Sequence, residues 1–315
     1  MLGLFLAVNA AYAVTHPVGV TRLAPYNTIE TAIGAAADHD TLIVDPGTYT
    51  VPAAGYDVNK PLTIKGQKGA DFTILQTTGT NTPVFKITAD DVTISGFTMH
   101  PPYGTDLSGV RRAAVIVGGT GVTSPTLTTV TGAVITKCII EFFPFGIAVL
   151  NADGAQITGN IIRYCPENFG VGGIGIRMVV LDLNPTDNVG DFAITNTLIK
   201  NNSIYDNGSW AVYMIGETAS ALVNLAGTQI KSNTFFNNGS FDGTIPPYNG
   251  NGMGIMIVKV QGPVTITSNK FLELRGGSTT NLINVDGVSA EVTHTGNKTY
   301  PKLKGTLSGG SFGVP

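Results

Sequence analysis

Charge is what this sequence has least of. Only 12% of its 315 residues are Asp, Glu, Lys or Arg, where about a quarter is usual in a soluble domain. The net charge is −3 and no basic cluster occurs, so DNA and RNA, which need Lys and Arg to neutralise phosphates, are excluded as partners. Long apolar runs are missing too, and none reaches the ~18 residues of a membrane span. The four histidines, at 16, 39, 100 and 294, are scattered without the spacing of a metal site or nucleophile triad. The one tryptophan, Trp210, sits in SWAVYM away from any acid. The surface must instead be covered by Thr, Ser, Asn and Gly, a composition found in exported, surface-exposed or assembling β-proteins.

What is present is a repeat. ITKCII (135–140) is followed by the apolar run GIAVL (146–150), a turn NADGA (151–155) and then ITGNII (157–162), so Cys138 and Asn160 are 160 − 138 = 22 residues apart. The frame returns in IKNNSI (199–204), IKSNTF (230–235) and ITSNKF (266–271). Its marked column reads Phe97, Cys138, Asn160, Asn202, Asn233, Asn269, Asn297, at intervals of 41, 22, 42, 31, 36 and 28 residues. A period in the low twenties without helical spacing is the signature of a coiled β-solenoid, its rungs interrupted by loops or extra rungs. Asn160, Asn202, Asn233 and Asn269 would then stack about 4.8 Å apart as a structural amide ladder. Cys138 lies in this column and Cys165 five residues beyond Asn160, about 16 Å to the side. That separation exceeds disulfide reach, so two free buried thiols are expected.

Repeat proteins grow by adding rungs, so one elongated domain is expected. Residues 1–26 comprise an apolar segment and a connector. The segment MLGLFLAVNAAYA is either a signal remnant, with Ala11 and Ala13 flanking Tyr12 at a cleavage-like site, or a retained docking strand. Residues 27–299 are the coil, opened by a capping helix at 27–38 in which Asn27 caps and Glu30 completes a capping box. Residues 300–315 are a C-terminal cap or tail. Long excursions interrupt the rungs, among them 100–132, with a candidate strand at AAVIV (113–117), and 182–192.

The order of helix, strand ending in DPGTY, LTIKG, FTIL and VTISGFTM, followed by the Asn-marked rungs, resembles the right-handed parallel β-helix proteins of the pectin-lyase-like superfamily over about residues 27–300. The resemblance implies an all-β fold, a single-stranded right-handed parallel β-helix with a short N-terminal capping helix. It leaves function open, because that superfamily includes polysaccharide lyases, hydrolases, esterases, epimerases, tailspikes and adhesins. Its enzyme motifs are not matched here: there is no Gly-His-Gly with paired Asp and Arg-x-Lys, no Asp-Pro-His-Asp and no Trp-x-Asp-His.

Catalytic residues are therefore not assigned. Candidate ligand-binding residues are Arg111 and Arg112, which could clamp a sugar carboxylate, and Arg177 with Tyr213. Aligning GIAVL, GIRMV, AVYMI and GIMIV turns Ala148, Arg177, Tyr213 and Met256 outward in one column. No cofactor is expected; calcium, on Asp182, Asp187 and Asp191, is the one candidate, without a known loop spacing. Asp90 and Asp91 read as turn formers. Asn201, Asn207, Asn238 and Asn297 begin glycosylation sequons. With catalytic sets missing, the sequence reads as a non-enzymatic extracellular or cell-surface subunit that self-assembles into a filament or layer. Leu2, Leu4, Phe5, Leu6 and Val8 would insert into a neighbouring copy. The alternatives are a polysaccharide-active lyase or hydrolase on acidic glycans, and a phage or viral spike or adhesin that binds glycans.

Overall fold

The computed structural model describes residues 13–19, 24–78, 82–102, 113–119, 128–168, 171–180, 193–216, 223–239, 253–258, 260–272, 281–286 and 292–300. Short strands wind into a coil with three long sheets along its length. A ten-stranded sheet runs from Thr15–Val18 to Val292–Thr295, a nine-stranded one from Gly47–Val51 to Lys298–Tyr300, and an eight-stranded one from Tyr56–Val58 to Asn281–Asp286. Every strand pair in them is parallel. One rung shows how the chain builds this. Val134–Thr136 lies in the first sheet, Ile139–Glu141 in the second and Phe145–Val149 in the third, before Gln156–Thr158 restarts the cycle.

Period-two alternation decides what faces inward. Leu42, Ile64, Ile94, Ile135, Ile157, Ile199, Ile230 and Ile266 are successive register partners in the ten-stranded sheet, each with no exposed surface. Burying a side chain of this size stabilises by ~2 kcal/mol. His16 and His294 stand at the two ends of this column, and Thr299 follows Phe271 in the next sheet. The last described rung is thus polar where the rungs before it are apolar.

The corner between the first two sheets carries the amide ladder. Cys138 N–H donates to Asn160 Oδ1 at 2.9 Å, Asn160 N–H to Asn202, Asn202 N–H to Asn233, Asn233 N–H to Asn269 and Asn269 N–H to Asn297, each also at 2.9 Å. Each Nδ2 also donates to a carbonyl of the rung before it, as from Asn160 to Ile135 and Asn202 to Ile157. A corner residue has no strand partner for its N–H, and Asn supplies one from the next rung. Because Asn160 and Asn202 bond directly across 42 residues, no extra rung stands between them.

A second ladder lies at the next corner. Cys165 N–H donates to Asn207 Oδ1, and Asn207 N–H and Nδ2 both donate to Asn238 Oδ1. Its members sit five residues past those of the first, a signal present in the sequence: Phe143, Cys165, Asn207, Asn238 against Cys138, Asn160, Asn202, Asn233. Both cysteines are free and buried, and burial pushes the Cys138 thiol up to about 11. Sequons Asn207 and Asn238 are spent in this ladder, while Asn201 is exposed.

The N-terminal part differs from expectation in two ways. The helix spans Ile29–Ala35, capped by Thr28, whose side chain accepts from Thr31 N–H; Asn27 and Glu30 do not form a capping box. Thr28 wins because its hydroxyl reaches the orphan donor one residue closer to the helix. Ile29, Ala32 and Ile33 are buried in the core shared with the first strands. The stretch read as a connector supplies a strand, Thr15–Val18, on the outside of Thr41–Val44.

Asp40 fastens that strand: it accepts from Val14 N–H at 2.6 Å and Ala37 N–H at 2.8 Å and lies 2.7 Å from His16 Nε2. The His16 bond first, then the Val14 amide, against opposition from burial, lower its pKa from 3.8 to about 2. A carboxylate lowered on folding stabilises above its unfolded value and loses that contribution as pH falls through the folded one. Amide protection factors in residues 14–18, taken relative to intrinsic exchange, should therefore be high above pH 4 and fall towards pH 2. Asp40→Asn should show low protection at both; equal acid profiles for the two proteins would refute this anchor.

Residues 1–12, including Leu2, Leu4, Phe5, Leu6 and Val8, lie outside the described residues, as do 301–315. No helix among the described residues is long and apolar enough to cross a membrane.

Candidate functional site

The nine-stranded sheet carries an outward column that combines charge, buried acid and aromatic rings. Alternation sends Ile140, Ile162, Ile204 and Phe235 into the core, each nearly or fully buried. It sends their successors Glu141, Arg163, Tyr205 and Phe236 outward as direct register partners. His100 occupies the position before Glu141, being one residue past the Met99–Ile140 pair, and Gln76 pairs with it in turn. Successive members are about 4.8 Å apart. The signal was there in the sequence, since the alignment that gives the Asn ladder, extended past it, reads IIEF, IIRY, SIYD and TFFN.

Three consecutive rungs are tied together. Arg163 Nε donates to Glu141 Oε2 at 2.8 Å, and Arg163 Nη1 donates to Tyr205 Oη at 3.0 Å. The Glu141 side chain is 6% exposed and that of Arg163 32%. Burial opposes the guanidinium charge, but the bonds to Tyr205 and Glu141 outweigh it and hold the Arg163 pKa above its usual range. Two of a guanidinium's five N–H groups are used in this way. The Tyr205 oxygen accepts from Arg163.

Rings complete the strip. Tyr205 stacks on Phe236 with centroids 4.2 Å apart and planes 10° from parallel. Phe142 stacks on Tyr164 at 5.4 Å and 24°. Arg163 Cζ lies 5.1 Å from the centroid of the Tyr164 ring. The Tyr205 and Phe236 faces cover one another along the coil, so these two rings present edges outward. Ring edges carry the positive end of the quadrupole, which favours a bound anion.

The residues expected from sequence fall elsewhere. Arg177 and Tyr213 are register partners, between Ala148 and Met256, but on the eight-stranded sheet. Arg177 Cζ lies 4.8 Å from the Phe145 ring, amid an outer apolar cluster that includes Ile116, Ala148 and Val179. Ala148 is fully buried, so that column is no open groove at its rung. Arg111, Arg112, Asp182, Asp187 and Asp191 lie outside the described residues. Among the described residues no group of three or more His, Cys, Asp and Glu converges as a metal site. Asp90 accepts from Thr131 N–H and Asp91 has φ +53°, as turn formers do. A cavity of about 420 Å³ lies beside the helix, lined by Glu30, Tyr56, Asp57 and Lys60 among others. Its Lys60 is committed to the carbonyls of Gly34 and Ala36.

The sequence profile described as "right handed beta helix region" matches residues 87–299. The chain belongs to this family. Solved β-helix structures agree on the fold. An alginate lyase from Paenibacillus sp. str. FPU-7 superposes with TM-score 0.51 at 14% identity, covering 94% of this chain and 98% of that one. The pectate lyase Pel9A gives TM-score 0.53 at 12% identity over 91% and 78%. ORF18 of Geobacillus virus E2 gives 0.50 at 14% over 88% and 56%. No curated protein sequence matches this β-helix chain.

These neighbours run against the expectation of a non-enzymatic, self-assembling subunit, and that expectation is withdrawn. It rested on the absence of other enzymes' motifs and on an apolar segment outside the described residues. At 12 to 14% identity, motif spelling does not carry over even where the coil does.

Proposed function

We propose that this β-helix is a polysaccharide-active enzyme on acidic glycans, working along the outward face of the nine-stranded sheet. The observation that carries the reading is the Glu141–Arg163–Tyr205 chain of bonds across three rungs. Arg163 holds the carboxylate of a uronic-acid residue through the N–H groups that Glu141 and Tyr205 leave over. Glu141 is a positioning residue that fixes the guanidinium. Tyr205 is the proton-transfer group.

Elimination fits this arrangement better than hydrolysis. Hydrolysis calls for two carboxyl groups on either side of the bond, and Glu141 is already committed to Arg163. In elimination the C5–H bond breaks, its electron pair forms the C4=C5 bond, and the C4–O bond breaks. Tyr205 enters as phenolate, its oxygen held by the Arg163 bond. It takes the C5 proton and, now a phenol, gives that proton to the leaving O4 oxygen, which restores the phenolate. Arg163 stabilises the charge that develops on the carboxylate. Because such polymers lie outside cells, an extracellular site of action belongs to the proposal, and the low surface charge accords with it.

The test is an activity screen on alginate, pectate and other uronic-acid polymers, with and without calcium, following the ultraviolet absorbance of the unsaturated product and the release of reducing ends. Both signals rising together is the expected result. Reducing ends without absorbance would mean hydrolysis, and neither signal on any polymer would end the proposal.

A further inference from the structure

Two register pairs of the coil set opposite charges side by side: Asp57 faces Lys86 and Glu141 faces Arg163, each at 2.8 Å. Two others set like charges side by side, and both flank the corner that carries the first amide ladder. Lys200 and Lys231 are register partners on its ten-stranded side, Lys270 and Lys298 on its nine-stranded side. None of the four forms an ion pair among the described residues, and Lys231 Nζ donates to the neutral Gln229 Oε1 at 3.0 Å. Like charges directly opposite one another destabilise a sheet, so the fold gains nothing from this arrangement.

Four consecutive rungs meet here, and each brings one ammonium and one hydroxyl to the rows on either side of the ladder. Lys200 comes with Ser203, and Lys231 with Thr234. In the next two rungs the sides exchange, giving Thr267 with Lys270 and Thr295 with Lys298. Alternation turns these side chains outward, as the burial of Ile230 and Phe235 beside Lys231 and Thr234 shows. Between the rows, Asn201, Ser232 and Ser268 are exposed and turn the chain with φ +57° at each, so the two rows run next to one another. The strip is about 14 Å long, three steps of the rung spacing. Its segments IKNNSI, IKSNTF, ITSNKF and HTGNKT contain no Asp or Glu, in a chain whose net charge is −3. No basic run announces it in the sequence because the lysines are 31, 39 and 28 residues apart.

We infer that this corner is a second binding surface for an acidic polysaccharide, which lies along the coil with its carboxylates on the four lysines and its hydroxyls on the Ser and Thr beside them. One cation and one hydroxyl per rung suit a polymer that carries a carboxylate and hydroxyls on every sugar. No ring stands among the eight positions, so the stacking that holds single-stranded nucleic acid is missing. The net negative charge of the chain repels a polyanion elsewhere and confines it to the strip. This inference rests on the proposed function for its ligand class but needs no chemistry at Arg163. The strip holds the polymer beside the Glu141–Arg163–Tyr205 column, since Tyr205 is two residues past Ser203 on the same strand.

The reference for the test is the protein with Glu141→Gln and Arg163→Met, which neither cuts the polymer nor offers Arg163 to it. Its affinity for alginate and for pectate is measured by calorimetry at low and at high salt, beside its melting temperature. Adding Lys200→Gln, Lys231→Gln, Lys270→Gln and Lys298→Gln together should weaken binding by about ten-fold or more. The melting temperature should not fall, because the facing like charges are gone, and salt should weaken the reference far more than this variant. Reference-like affinity in the variant overturns the surface, as does a reference that binds neither polymer. Single-stranded DNA bound as tightly as the uronates, with the same dependence on the lysines, overturns the glycan assignment. Should the reference not fold, Tyr205→Phe takes its place under the same criteria. Cleavage is read separately: polymers bound by the reference but cut by no amount of the parent would overturn the reading of Arg163 and leave the corner standing.

Discussion

Replacing Arg163 with Lys should lower kcat/KM on the responsive uronate polymer by about a hundred-fold or more, the scale of losing a placed charge-stabilising donor at a reacting centre. Lysine keeps the charge but offers a compact ammonium without the planar fork. It cannot serve Glu141, Tyr205 and a substrate carboxylate together. The substitution is preferred to Met because Arg163→Met would strand Glu141, at 6% side-chain exposure, as an unpaired buried acid. Breaking such a pair costs about 3–5 kcal/mol and would confuse folding with function. The double variant Glu141→Gln with Arg163→Met removes both charges and should fold while remaining inactive. Retention of more than a tenth of the parent activity by either protein would mean that Arg163 is a surface strut and that the chemistry lies elsewhere.

Asn202→Leu should be the most damaging single change to the fold. It removes the acceptor of Asn160 N–H and Nδ2 and the donor to Ile157 O and Asn233 Oδ1, in a place no water reaches. Orphaned buried groups of this kind cost about 1–3 kcal/mol each, so a loss of about 4 kcal/mol is expected, roughly 10 °C in melting temperature. Asn297→Leu, at the half-buried end of the same ladder, should cost about 1 kcal/mol. In a stack where each rung touches only its neighbours, an interior break cuts two interfaces and a terminal one cuts a single interface. Equal melting temperatures for the two variants would contradict a ladder that acts as a continuous chain.

The coil was legible in the sequence because its signals repeat. The φ-x-x-Asn-x-φ frame fixed the register of the ten- and nine-stranded sheets, and the alignment of GIAVL with GIRMV and AVYMI fixed that of the eight-stranded one. The helix cap was misplaced by one residue because Asn27 and Thr28 are both good caps, and only the folded geometry tells which hydrogen bond forms. The site was overlooked for a different reason. Glu141, Arg163, Tyr205 and Phe236 are four unlike residues, so they form no visible repeat, and 64 residues separate Glu141 from Tyr205. A sequence motif needs neighbours along the chain, whereas a coil makes neighbours of residues one turn apart. The left-handed angles at Phe142 and Tyr164, φ +62° and +56°, could not be read from residue type at all, since neither residue predicts them.

The most direct measurement is a crystal structure of the Tyr205→Phe protein with a uronate oligosaccharide, chosen from the polymer that the activity screen identifies. The account predicts sugar density along the nine-stranded sheet, with one carboxylate on the Arg163 guanidinium. Sugar density beside Arg177 and Tyr213 on the eight-stranded sheet, with the Glu141–Arg163 column bare, would contradict it.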